Sequence, residues 1–340
     1  MIGKNTLEYN TKGKDILPGR ERTAAALSHL RMRIAGGGWT QRKANLMIGL
    51  ISMAWGSSFL MMKVGLDGIE PFFITVWRFG IAFFVLALLF RKNVLHVDRK
   101  TLGYAAILGG ILFVVFGLLM YGMKTTTASE AGFLFGCTVV VVPLFQMIIT
   151  RKAPQIHIAA GAVLAMLGVA LLTLENSLHM NSGSFLCLLS AVLYSLHIVL
   201  TNVFTRQVSG LVLGIWQIGF TFLFSLFAGL LYETPAMPQT STQWVAILGL
   251  ALLCSAFGFV MHPIAQKYTT PEHTGIIMSL QPVFAAVFAF LFLQEVLPVK
   301  GYVGGVLVLL SVFVASSAGE GKRAPLKENA GLNTAKSYKL

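Results

Sequence analysis

The chain has 340 residues, of which 56% are hydrophobic and only 11% charged. A soluble globular chain carries about 25% charged residues, so the composition excludes a water-solvated fold and makes lipid the expected solvent. The formal net charge of +13 therefore has to be read first as a membrane-topology signal and only then as a nucleic-acid footprint.

Residues 1–44 are polar, basic and glycine-punctuated, without the compact charge, apolar core and cleavage pattern of a secretory signal. They read as a disordered cytoplasmic tail held near anionic lipid, with a short basic surface helix over 21–35 as the alternative. Ten apolar runs follow, at 45–62, 71–90, 101–122, 131–150, 155–174, 182–203, 208–231, 243–266, 274–294 and 301–318, each near the roughly 20 residues that span a bilayer. Barrel strands would alternate over about 10 residues, so the runs are expected to be helices, which satisfy their own backbone in hydrocarbon. The gaps between them are short and rich in turn formers. Residues 319–340 read as a second cytoplasmic tail.

Trp55, Ser57 and Ser58 lie within one turn of the first run. The second holds Arg78, the only charge inside any of the ten runs, about 10 Å along a helix from Pro71. An intramembrane arginine costs about 2.5 to 3.5 kcal/mol on insertion scales and faces a partner or a cavity. Two readings stand: a cation lining a pathway, able to grip a carboxylate or phosphate with two hydrogen bonds, or an architectural tie that snorkels or binds backbone carbonyls. The third run ends in "GLLMYGMKT" (117–125), a near miss for a phosphate loop. Met123 separates Gly122 from Lys124 and no strand precedes, so no nucleotide-driven mechanism follows. Tyr121, Thr138, Tyr194, His197, His262 and Gln281 are the remaining candidate polar groups, in runs three, four, six, six, eight and nine. Pro143, Pro263 and Pro282 are candidate helix breaks, and the GxxxG spacings Gly132/Gly136, Gly210/Gly214 and Gly301/Gly305 point to helix packing. Cys137, Cys187 and Cys254 are separated and odd in number, suggesting neither a disulfide framework nor a metal site.

With the N-terminus placed inside, 22 of the 26 Lys and Arg fall in inside segments, and only Lys63, Lys124 and Lys300 in outside loops. This obeys the positive-inside rule with both termini cytoplasmic. A cysteine at Gly183 or Thr234 should then be labelled from outside, and one at Lys152 or Arg206 should not.

"VWRFG" (76–80) matches "IWQIG" (215–219), "FGLLMYG" (116–122) matches "FGFVMHP" (257–263), and 132–170 maps onto 275–313 at an offset of 143. The matches stay in order and the runs pair five against five. Because five is odd, the second unit, 182–318, enters the membrane from the side opposite to the first, 45–174, which makes an inverted repeat of the kind that alternates access around a midplane site. Trp55, Ser57 and Ser58 then face Tyr194 and His197 across a pseudo-twofold axis, a lining suited to an amphiphile, with close helix packing and interfacial anchoring as the alternatives. Tyr121 pairs with His262, Thr138 with Gln281, and Arg78 with the neutral Gln217.

The stretches "AWGSSFLMMKVGLDGIEPFFITVWRFGIAF", "ASEAGFLFGCTVVVVPLF" and "TGIIMSLQPVFAAVFAFLFLQE" resemble the drug/metabolite transporter superfamily, EamA type, over residues 45–318. The resemblance implies a ten-helix inverted-repeat carrier with a central cavity, moving small organic solutes, often outward. It also implies an acidic residue where this chain has Gln281, and an arginine at Arg78 across different substrates.

The expected protein is an all-α integral membrane protein of ten transmembrane helices: a secondary transporter of the plasma membrane, exporting amino acids or related amphiphiles. A membrane-embedded enzyme or receptor is the alternative, but HExxH, GxSxG and an intramembrane carboxylate pair are missing. A small-molecule substrate and the lipid bilayer are the expected partners, in a monomer or homodimer, with no nucleic acid, cofactor or metal. No Asp or Glu lies within the ten runs, so transport without obligatory proton coupling is expected, with His197 offering hydrogen bonds to the solute.

Overall fold

The computed structural model describes residues 39–126, 128–151, 153–173, 182–293 and 299–317. Residues 1–38 of the expected 1–44 tail, the expected tail 319–340, and Lys152 lie outside the described residues. All regular structure among the described residues is helical. The first stretch is α1 (Gln41–Gly56) and α2 (Ser58–Gly65), followed by α3 (Pro71–Leu89), the short α4 (Arg91–Leu95) and α5 (Arg99–Thr125). Next come α6 (Ala128–Gly136), α7 (Thr138–Thr150) and α8 (Ile156–Thr173). Then follow α9 (Ser182–Thr205), α10 (Gly210–Tyr232) and α11 (Ser241–Leu248), which continues through a π-helix (Gly249–Gly258) into α12 (Phe259–Gln266). The last elements are α13 (Pro271–Met278), α14 (Gln281–Leu293) and α15 (Val299–Ser317).

Among the described residues, six stretches are long and apolar enough to cross a membrane: Gln41–Gly65, Pro71–Leu89, Arg99–Thr125, Ser182–Thr205, Gly210–Tyr232 and Ser241–Gln266. The expected runs 131–150, 155–174, 274–294 and 301–318 contain shorter or broken helices. Polar residues extend several helices beyond the apolar runs. α1 starts at Gln41, where the Thr40 hydroxyl accepts from the Lys43 N–H, and α6 carries Glu130 and α13 Glu272 in their first turns. Lys63, expected in a loop, is in α2, and its ammonium holds the C-terminal carbonyls of α5, Met123 O at 2.8 Å and Thr126 O at 3.1 Å.

Three breaks shape the interior. Between α1 and α2 the Ser57 hydroxyl donates to Ala54 O and that of Ser58 to Trp55 O, back-bonding that bends helices. Between α13 and α14 the chain leaves the helix at Ser279 and Leu280, two residues before Pro282. Between α6 and α7 it does so at Cys137, which maps on Leu280 at the repeat offset of 143 read in the sequence. Of the three expected helix-breaking prolines only Pro282 adjoins a break; Pro143 and Pro263 lie inside α7 and α12.

Glycines set the closest helix crossings. A Cβ at Gly122 would lie 2.8 Å from Gly183 O, and one at Gly168 would lie 2.7 Å from Gly304 O, so α5 meets α9, and α8 meets α15, backbone to backbone. Gly183 is correspondingly unable to take the labelling cysteine expected there: its Cβ would stand 2.6 Å from Gly122 O. Gly210 and Gly214 press on the backbone of α12, a packing use of that GxxxG spacing.

The two ends of the molecule differ. At one, the Glu233 carboxylate caps α3, accepting from the Phe72 and Phe73 N–H groups and from the Tyr121 hydroxyl, while Gln243 donates to Asp67 O. At the other, Asn202 Nδ2 donates to Gln266 O and Thr269 O, and Arg206 donates to Asn202 Oδ1. Asp98 caps α5 nearby, and its hydrogen bonds from Thr101 hold the carboxyl below the usual range.

Candidate functional site

Between the two ends, α1, α2, α3, α5, α6, α9, α12 and α14 line a cavity in which the centre of a water molecule has about 20 Å³ to occupy. A single water needs roughly 10 to 15 Å³ by that measure, so the cavity in this conformation holds about one water and no organic solute. Trp55, Phe59 and Met62 reach it from the bent first stretch, at the i, i+4, i+7 spacing of one helix face. Ser58, Arg78, Phe116, Leu119, Phe135, Tyr194, Phe259 and Gln281 complete the lining.

Arg78 is 2% exposed. Its Nε donates to Ser255 Oγ at 2.6 Å and its Nη1 to Met62 Sδ at 3.6 Å. The guanidinium lies 4.5 Å from the Phe116 ring centroid and 5.1 Å from that of Phe79, so ring faces replace part of its hydration. Two of five N–H donors are thus used, and among the described residues no carboxylate pairs with it. Among the described residues its hydrogen bonds go to side chains and not to backbone carbonyls.

Trp55 is pinned by its indole N–H, which donates to Cys254 O at 2.7 Å. That carbonyl belongs to the π-helix, whose wider i→i+5 turn displaces backbone groups from the α ladder. Gly258, at the end of the π-helix, lets the indole lie against the backbone: a Cβ there would stand 3.0 Å from indole Cε2 and closer still to Nε1. Tyr194 sets its ring 6.0 Å from Trp55, edge to face, and 5.0 Å from Phe135; its buried hydroxyl has no hydrogen-bond partner among the described residues.

Five of the ten residues singled out from the sequence, Trp55, Ser58, Arg78, Tyr194 and Gln281, line this one cavity. Ser57 does not: it occupies the bend, half-buried. Ser58 lines it with a hydroxyl already given to Trp55 O. Thr138 and Gln281 each begin the helix after a break, but Thr138 is buried away from the cavity. Tyr121 serves the α3 cap at one end, its hydroxyl donating to Glu233, and is not part of the cavity lining.

His197 and His262 lie behind the cavity wall, fully buried. His262 sits 5.7 Å from the Trp55 ring, and His197 5.5 Å from Tyr194 and 6.3 Å from His262. Pro263 has no N–H to offer Phe259 O four residues back; Gln217 Nε2 donates to it instead, at 2.9 Å. That bond fixes the amide's orientation, so Gln217 Oε1, 3.0 Å from His197 Nε2, is the acceptor and the imidazole the donor. The expectation that His197 gives hydrogen bonds to a solute therefore meets an obstacle: its donor is engaged and its ring is outside the lining. His197 Nδ1, both nitrogens of His262, Thr201 Oγ1 and Gln266 Oε1 have no partner among the described residues, and they run from the cavity wall toward the Asn202 clamp. Among the described residues no group of three His, Cys, Asp or Glu could hold a metal ion.

Phe59, Met62, Phe116, Leu119, Phe135, Phe259 and Ser255 were not singled out from the sequence. The stripe from Trp55 to Met62 was legible there as one helix face, whereas Ser255, 177 residues from Arg78, left no local signal.

The sequence pattern of the EamA-like transporter family matches this chain twice, over residues 42–174 and 181–317. An "Uncharacterized transporter" of Archaeoglobus fulgidus is 28% identical over 274 residues, covering 80% of this chain and 85% of the relative. A "Probable terminal-alkyne amino-acid exporter" of Streptantibioticus cattleyicolor is 25% identical over 288 residues, 83% of this chain and 96% of the relative. A solved crystal structure superposes with a TM-score of 0.68 at 20% identity, covering 81% of this chain and 97% of that one, a likeness of fold.

Proposed function

Because this chain belongs to the EamA-like transporter family, a multi-pass membrane family of small-molecule carriers, we propose that it exports amino acids or related amphiphilic solutes across the plasma membrane by alternating access. The observation that carries the reading is the cavity itself, in which Arg78 and a ring of aromatic side chains meet beside the broken helices α1/α2 and α13/α14. Discontinuous helices at mid-membrane are a recurrent construction of carrier sites. The paired family matches and the breaks at Cys137 and Leu280 support two five-helix units of opposite orientation. Both termini are cytoplasmic in this reading, so the Asn202 end is the inner one.

The cavity is contracted around about one water, so a solute is admitted only when lining helices separate. The unpartnered polar column between α9 and α12 supports the inner half of the route: those groups gain partners when water follows the solute between the helices. None of the lining side chains is acidic, which supports transport without obligatory proton coupling. The test is a metabolite-resistance screen in cells overproducing the protein. Raised tolerance to a set of amphiphilic metabolites is expected, and uniform sensitization across the hits would refute export.

A further inference from the structure

Among the described lining residues there is one fixed charge, and it is positive. Among the described residues, Arg78 brings three N–H donors without a partner to a lining in which Tyr194 adds an unpartnered buried hydroxyl. Most of the remaining lining is aromatic or apolar, including Trp55, Phe59 and Phe135, and the Gln281 amide donates to Met278 Sδ at 3.1 Å. None of the lining residues is acidic; elsewhere Glu70 pairs with Lys124, Glu233 caps α3, and Glu272 begins α13. A carboxylate placed here meets a planar guanidinium fork and a phenol donor, the arrangement that holds it with several charge-assisted bonds. An ammonium placed here loses its water, finds no carboxylate among the described lining residues, and meets the like charge of Arg78.

We propose that the solute of this cavity is an organic monoanion, a carboxylate with an aromatic or branched apolar body and no ammonium group, and that the membrane potential drives it outward. This rests on the transporter reading above and narrows its amino-acid relatives to deaminated or N-acylated forms. Arg78 stays in the protein through the cycle, so the net charge moved per turnover is the solute's alone. Expelling one negative charge from an inside-negative cell is downhill, by roughly 50-fold in concentration ratio per 100 mV. That gives a driving force to a carrier whose cavity lining has no carboxylate to bind a proton.

The test uses the full-length protein in proteoliposomes, with a potassium diffusion potential set by valinomycin and protein-free vesicles as the leak control. Three solutes with a shared phenyl body and different charge are compared: phenylpyruvate, phenylalanine and phenethylamine. Phenylpyruvate flux is expected to exceed phenylalanine flux at least tenfold and to accumulate on the positive side, while phenylalanine flux ignores the potential. In Arg78→Gln the anion preference should collapse, and in Arg78→Lys it should persist at lower flux; if either variant misfolds, the wild-type comparison still decides. Phenylalanine transported as fast as phenylpyruvate, or phenylpyruvate flux indifferent to the potential, overturns the inference and leaves the transporter reading standing. No flux of any of the three through folded protein overturns both.

Discussion

Replacing Gln217 by methionine removes one amide that serves two elements while keeping an unbranched side chain of similar volume. Two hydrogen bonds disappear, to Phe259 O at 2.9 Å and from His197 Nε2 at 3.0 Å, and neither can be replaced by water because Gln217, His197 and Phe259 are all buried. Buried side-chain hydrogen bonds inside membrane proteins are worth about 0.6 kcal/mol on average and at most about 1.7. The pair therefore contributes roughly 1 to 3 kcal/mol, less than the cost of two orphaned groups in a water-soluble core, because the unfolded chain in the membrane also finds partners. The decisive comparison is a double-mutant cycle with Pro263→Ala. An alanine restores the N–H that Phe259 O lacks, so in that background Gln217→Met loses only the His197 bond, and its cost should fall to about half. Equilibrium unfolding in mixed micelles, followed by tryptophan fluorescence, measures all four proteins. A Gln217→Met cost below about 0.3 kcal/mol, or an equal cost in both backgrounds, would refute the claim that this amide replaces the donor removed by proline.

Gly258→Ala is expected to push the Trp55 indole off Cys254 O, because the new Cβ would stand 3.0 Å from indole Cε2; transport should fall at least tenfold while the protein still inserts and purifies, and unchanged flux would show that the indole's position is immaterial. For topology, a cysteine at the exposed positions Ser182 or Thr234 should be labelled from outside by an impermeant maleimide, and one at the exposed Arg206 should not; the reverse pattern would sink the orientation and, with it, the direction proposed for the route.

The helical, lipid-solvated character of the chain was legible residue by residue because hydrocarbon acts locally: every stretch in it must be apolar, about 20 residues long and self-satisfied in backbone hydrogen bonds. For the same reason Arg78 announced itself, since a lone charge in such a stretch needs a special environment. Helix ends were the weaker part. Thr40 and the polar residues after it start α1 by capping rather than by hydropathy, and Lys63 reads as a loop charge until its α5 carbonyl partners are in place. What tertiary structure alone decided is which way each side chain turns. Tyr121 and His262 share a repeat position, yet one caps α3 with Glu233 and the other packs beside Trp55. Gln217, Arg78's neutral counterpart, is taken up by a carbonyl that Pro263 left without a donor. These outcomes depend on helix rotation, on glycine-set crossings and on a ten-residue π-helix. They join residues as far apart as Trp55 and His262, and no local periodicity encodes a partner at that range.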